Sequence, residues 1–230
     1  MDYNQGSIWR KWDFHVHTPY SILNNGFGFD PFTLGDDDLE TKFDEYVKKL
    51  FTMAVEQGIA AIGITDYFMI EGYKRIKQKY LDCPKKMKEC FPDDTLRHAV
   101  EQIYVFPNIE LRLDNFVGNN AHSVNYHVIF SSDVPIRAIE ENFLHRLNFN
   151  FDSSDLRPLT LSNICELGKQ IKQNNTRSGS DLLVGLTNVS LNYNTILKSL
   201  ENNHDFLGKY MISVPVDEDL SAVAWDGRDY

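Results

Sequence analysis

Ile59–Tyr67, IAAIGITDY, is an apolar run too uniform for a strand with one face in water. It reads as a strand buried on both faces, the habit of parallel sheets. Just before it, Leu39, Phe43, Tyr46, Val47, Leu50, Phe51 and Ala54 recur at helical spacing. That periodicity predicts a helix from a cap at Asp38 to about Gln57, with Gly58 as its stop. Earlier still, Lys11–Ser21, KWDFHVHTPYS, opens as a short strand carrying two histidines. Strand, helix and buried strand make a βαβ unit.

Downstream the same alternation continues. Glu71–Leu81 reads as a polar, lysine-bearing helix, and Thr95–Gln102 as a second. Ile103–Leu113 is a strand with Pro107 as a break, and Val124–Phe130 is another strand. Helices are expected over Pro135–Leu147, Leu161–Gln173 and Asn194–Glu201, a buried strand at Leu182–Leu186 and a last strand at Tyr210–Pro215. The pattern predicts an α/β fold with a mainly parallel sheet, barrel or open, in one domain over residues 1–230. Trp9 and Trp12 read as packing residues.

Composition narrows the function classes. A hydrophobic fraction of 42% in 230 residues is enough for a sizeable core. The net charge of −10 disfavours generic nucleic-acid binding, which needs clustered cations. The one noticeable basic stretch, with Lys85, Lys86 and Lys88, reads as a solvated helix face. Three cysteines without a CxxC pair argue against a disulfide framework or a cysteine zinc site. No apolar run is long enough to span a membrane, and MDYNQGSIWRKW lacks a signal core, so a cytoplasmic protein without a membrane partner is expected. There is no GxxxxGK[ST] phosphate loop.

Chemistry concentrates at predicted strand ends. His15 and His17, two residues apart in an extended chain, project from one face. Asp66, Glu110 and His127 sit in or at the ends of three further strands, where α/β folds collect their ligands. Imidazole mixed with carboxylate suits Zn, Mn or Fe. Divalent ions acidify bound water and stabilise the attacking and leaving oxygens of phosphoester hydrolysis. His98 and His145, on predicted helices, read as surface residues; His122 lies in a loop near the site.

The pieces FHVHTPYS, GITDY, PNIELRL and YHVIF resemble the motifs of the PHP (polymerase and histidinol phosphatase) superfamily. The longer stretches SIWRKWDFHVHTPYS, AIGITDYFMIEGYKR and FPNIELRL are similar to the N-terminal PHP module of PHP–ATPase (TrlF-type) proteins. The resemblance implies a distorted (β/α)7 barrel with a cluster of two or three metal ions. It implies His15, His17, Glu110 and His127 as ligands, Asp66 as a second-tier ligand, Glu110 and Asp66 as catalytic, and Tyr67 and Arg112 as substrate contacts. The activity implied is a metal-dependent phosphoesterase acting on nucleic-acid phosphodiesters or nucleotides, beside an SMC/ABC-like ATPase domain or subunit of the DNA-repair kind. The alternative is a non-catalytic metal-binding module of such an ATPase system.

This chain departs from the family pattern in three places. Tyr67 stands where the Thr-Asp-His motif has its histidine, and Asn24 and Asn25 replace an acidic residue. No Asp-x-His follows before Tyr230. The expectation is a barrel short of its closing elements, holding at most one ion tightly.

Overall fold

The computed structural model describes residues 9–117, 122–152, 155–175 and 177–214. In chain order these form β1 (Lys11–His17), α1 (Asp36–Glu56), β2 (Ile59–Tyr67) and α2 (Glu71–Arg75), which runs on as a π turn over Ile76–Leu81. Then come α3 (Pro84–Cys90), α4 (Asp94–Glu101), β3 (Tyr104–Val117) and β4 (His122–Phe130). The second half holds α5 (Ile136–Ala138), a ribbon of β5 (Asn148–Asn150) and β6 (Leu156–Pro158), α6 (Leu161–Asn174), α7 (Asp181–Asn188), α8 (Tyr193–Glu201) and β7 (Tyr210–Ser213).

The α/β class expected from the sequence is the observed one. The main sheet has the order β1-β2-β3-β4-β7 and is open among the described residues, the second of the two arrangements that the strand–helix pattern allowed, and does not form the (β/α)7 barrel that the resemblance implies. It is also mixed. The β1–β2 and β2–β3 pairs are parallel, whereas β3–β4 and β4–β7 are antiparallel. The reason lies between β3 and β4: only a short connection separates them, too short for the crossover that a parallel neighbour requires. The expectation of missing closing elements, and of Pro215 in the last strand, concerns residues outside the described set.

Strand alternation gives the sheet two unlike faces. One carries Ile62, Ile64, Ile109, Leu111, Tyr126, Val128 and Phe130, all at most 1% exposed. Helices cover it, α1 contributing Leu39, Phe43, Val47, Phe51 and Ala54. The other face carries Thr65, Tyr67, Asn108, Glu110, Arg112 and His127, and at its far end Tyr104 and Met211, which are exposed.

Several local expectations are corrected. Helix α1 starts at Asp36 after Gly35, so Asp38 lies in its first turn and is not its cap. Pro107 does not break β3: the register with β2 runs through it unshifted, and pairing with β4 begins only at Asn108. Leu182–Leu186 is helix α7, not a strand. Ser180 caps it by accepting from the Leu183 N–H, and α6 and α7 touch backbone to backbone. A Cβ on Gly168 would lie 1.8 Å from the Asp181 carbonyl, and one on Gly185 2.0 Å from that of Ile164. Short apolar runs look alike in helix and strand; the cap and the paired glycines decide.

The helix expected over Pro135–Leu147 is α5 extended by a π turn and a 3₁₀ turn to Arg146. The helix expected to be polar over Glu71–Leu81 buries Tyr73, Ile76 and Tyr80. Trp9 and Trp12 do not pack in the core; they are 97% and 62% exposed. Among the described residues, no helix is long and apolar enough to cross a membrane.

Candidate metal centre

The centre is built on one row across the sheet. Tyr67 on β2 lies opposite Glu110 on β3, which lies opposite His127 on β4. His17 joins from β1, in register with Thr65. The β1–β2 register advances three residues, Asp13 to Val16, against two on β2, Ile62 to Ile64, so β1 carries a bulge. Bulges re-aim side chains beside functional sites. Here the Phe14 backbone presses onto Gly63, where a Cβ would come within 2.5 Å of the Phe14 carbonyl oxygen. Only glycine fits there.

The side chains converge. His15 Nε2 is 3.2 Å from Glu110 Oε2, His17 Nε2 is 3.5 Å from the same oxygen, and the two Nε2 atoms are 3.1 Å apart. His127 Nε2 lies 4.0 Å from the other oxygen, Oε1. Ligand atoms of His15, His17 and Glu110 all fall within 4.8 Å of one another, a spread that one ion can span. Glu110 is 1% exposed, and its Oε1 has no hydrogen-bond partner. A buried carboxylate oxygen that faces imidazoles without a hydrogen-bond partner is one that a cation would satisfy. The donor set present therefore fits a divalent ion.

Electrostatics support neutral, donating imidazoles at His17 and His127. Burial drives the His127 pKa down to about 4, and burial also lowers that of His17. His15, half exposed, moves upward because it hydrogen-bonds Glu110. Tyr67 stacks on His17 with ring centroids 5.0 Å apart, and burial beside the Glu110 charge pushes its phenol up to about 12. It stays a protonated donor and a poor metal ligand. Arg112, two residues beyond Glu110 on the same face, donates to the Thr187 carbonyl at 2.9 Å.

No family model, curated protein or solved structure matches this chain.

Asp66 is not brought to the cluster. Strand alternation turns it to the helix-covered face, where its carboxylate accepts from Thr18 Oγ1 at 2.6 Å, Ser21 Oγ at 2.9 Å and the Gly72 N–H at 2.8 Å. Burial raises its pKa to about 7 against those three bonds. It ties the end of β1 to the start of α2, and its link to the cluster is indirect: Ser21 Oγ also lies 3.0 Å from His17 Nδ1.

Two partners escaped the sequence reading, Ser21 and Asn108. The Asn108 amide nitrogen reaches the Phe14 carbonyl at 2.6 Å and Thr65 Oγ1 at 2.9 Å, and its side chain abuts His127 Nδ1. Nothing in their spacing distinguishes them; the one available signal, a glycine at position 63 inside a strand, marks a close backbone approach and went unread. Asn24 folds back on its own turn, accepting from the Gly26 N–H. His98 and His145 are exposed as expected, and the expectations for His122 and Asn25 concern side chains outside the described set.

Proposed function

We propose that the chain is a metal-dependent phosphoesterase of the PHP type, holding Zn, Mn or Fe with His15, His17, Glu110 and His127. The carrying observation is the buried Glu110 carboxylate, ringed by three imidazoles with one oxygen unpartnered. Bound there, a divalent ion supplies acidified water and charge stabilisation for phosphoester hydrolysis. His15, with its side chain 53% exposed, leaves the cluster open to substrate. Arg112 offers a cation and Tyr67 a neutral donor for phosphate oxygens. The motif resemblance supports reading the open sheet as part of a PHP-type barrel.

A nucleotide or a nucleic-acid end suits the site better than a long duplex. The basic side chains Arg75, Lys79 and Lys86 are occupied by Glu40, and Lys86 also by Asp44, so that stretch has fewer cations to spare for a phosphate track. Elemental analysis of protein purified without chelator, paired with hydrolysis of phosphomonoesters and phosphodiesters, tests the reading. About one ion per monomer is expected, with turnover lost in Glu110→Gln. Failure to bind Zn, Mn or Fe, or turnover indifferent to Glu110→Gln, would overturn it.

A second reading is a non-catalytic metal-binding module of an SMC/ABC-like ATPase system. The exposed Trp12, Tyr104 and Met211 on the site's own sheet face favour it, since apolar patches mark interaction surfaces. Stoichiometric metal without hydrolysis of either ester class would select this reading.

A further inference from the structure

We infer that Asn108 and Ser21 are positioning residues that hold His127 and His17 in the Nδ1–H form, so that both rings present Nε2 to Glu110. The inference rests on the metal-site reading and follows from counting protons. The Phe14 carbonyl, 2.6 Å from the Asn108 amide group, can only accept, so the amide nitrogen must face it and the Asn108 orientation is fixed. That nitrogen has two protons. One goes to the Phe14 carbonyl and the other to Thr65 Oγ1, whose own proton has the Gly63 and Phe14 carbonyls as acceptors. None is left for His127 Nδ1, although it lies 3.1 Å from that nitrogen, farther than either acceptor. The remaining contact, 3.3 Å between His127 Nδ1 and Asn108 Oδ1, is therefore a bond that the ring donates.

The same count holds at His17. Ser21 Oγ has one proton and two oxygen acceptors, the Thr65 carbonyl at 3.0 Å and Asp66 Oδ1 at 2.9 Å. With that proton turned to either oxygen, the contact with His17 Nδ1 at 3.0 Å is one in which the ring donates. In a neutral imidazole that donates through Nδ1, the lone pair sits on Nε2. Both Nε2 atoms face Glu110, at 3.5 Å for His17 and 4.0 Å for His127. Metal-ligating histidines are commonly oriented through the other ring nitrogen in this way. The bulge on β1 matters here, because the Phe14 carbonyl it turns onto the sheet face is what orients the amide.

Long-range ¹H–¹⁵N correlation spectra of the metal-free protein at neutral pH test this directly. His127 and His17 should each show a protonated Nδ1 and an unprotonated Nε2; the opposite tautomer in either ring overturns its assignment. Zinc affinity of two variants then tests the positioning role. Asn108→Leu removes the acceptor and should weaken zinc binding by about 10–100-fold. Asn108→Asp, protonated so that its hydroxyl faces the Phe14 carbonyl, keeps the acceptor and should retain the wild-type affinity, although both variants lose the amide donors and should melt at lowered temperatures. Equal loss of affinity in both would mean that Asn108 only braces the strands, which defeats the positioning role. Wild-type protein with the assigned tautomers but no zinc affinity would sink the metal reading and leave the tautomers standing.

Discussion

The two faces of the five-stranded sheet obey different physics, although the same strands build both. On the helix-covered face, Phe130 and Tyr126 are 0% exposed, and aromatic rings pack against aromatic rings, as Phe130 does on Phe143 and Phe206. On the opposite face, Trp12 and Tyr104 are 62% and 69% exposed, and beside Ala61 and Ile129 the buried groups include the polar Asn108, Glu110 and His127. One face supplies the hydrophobic term that folds the chain. The other carries side chains whose convergence costs stability and is retained for what it can bind.

The contrast is sharpest in a truncation on the covered face. Phe130→Ala should destabilise the protein by about 3–5 kcal/mol, measured by urea unfolding. The folded fraction should bind zinc as tightly as wild type, since Phe130 touches none of the ligands. The pair His15→Ala/His17→Ala should do the reverse. Zinc affinity should fall by more than the roughly 10–100-fold of a supporting residue, while metal-free stability changes by less than about 1 kcal/mol. Equal metal content in the double variant and wild type would break the comparison.

Acid should reveal the open face's cost. The folded pKa of His127 is depressed to about 4, below the 6.5 of a free imidazole. Its contribution is therefore whole above pH 6.5 and is lost as pH falls towards 4, because the unfolded chain takes up the proton first. The metal-free protein should lose on the order of 3 kcal/mol of stability over that window from this group, with His17 acting in the same direction. His127→Gln should flatten the slope, as read from urea midpoints at several pH values. The smallest effect belongs to Trp12→Ala. Although large and aromatic, Trp12 sits on the uncovered face, and its loss should shift stability by no more than about 0.5 kcal/mol. A loss comparable to that of Phe130 would show that something covers this face in solution.

Much of the covered face was legible in the sequence. The apolar positions of α1 and the uniform run of β2 are local periodicities, and the structure buries Leu39, Phe43, Val47, Phe51 and Ala54 as that spacing demands. The site was legible in part. His15, His17, Glu110 and His127 do meet, and the HxH spacing alone put two of them on one face. Asp66 does not join the cluster, for a reason that also lies in alternation. It neighbours Tyr67 in the chain, so it must point away from the row that Tyr67, Glu110 and His127 share.

What the sequence determined by itself was the α/β class, the opening βαβ unit and the pair of histidines, because helix and strand periods are written within a few residues. The tertiary structure alone decided the rest. Register across β2, β3 and β4 set Glu110 opposite His127, backbone contact between α6 and α7 made a helix of an apolar run, and a bulge pressed onto Gly63 freed the carbonyl that orients Asn108. Each depends on which distant strand or helix lies alongside, and no spacing within one segment encodes that.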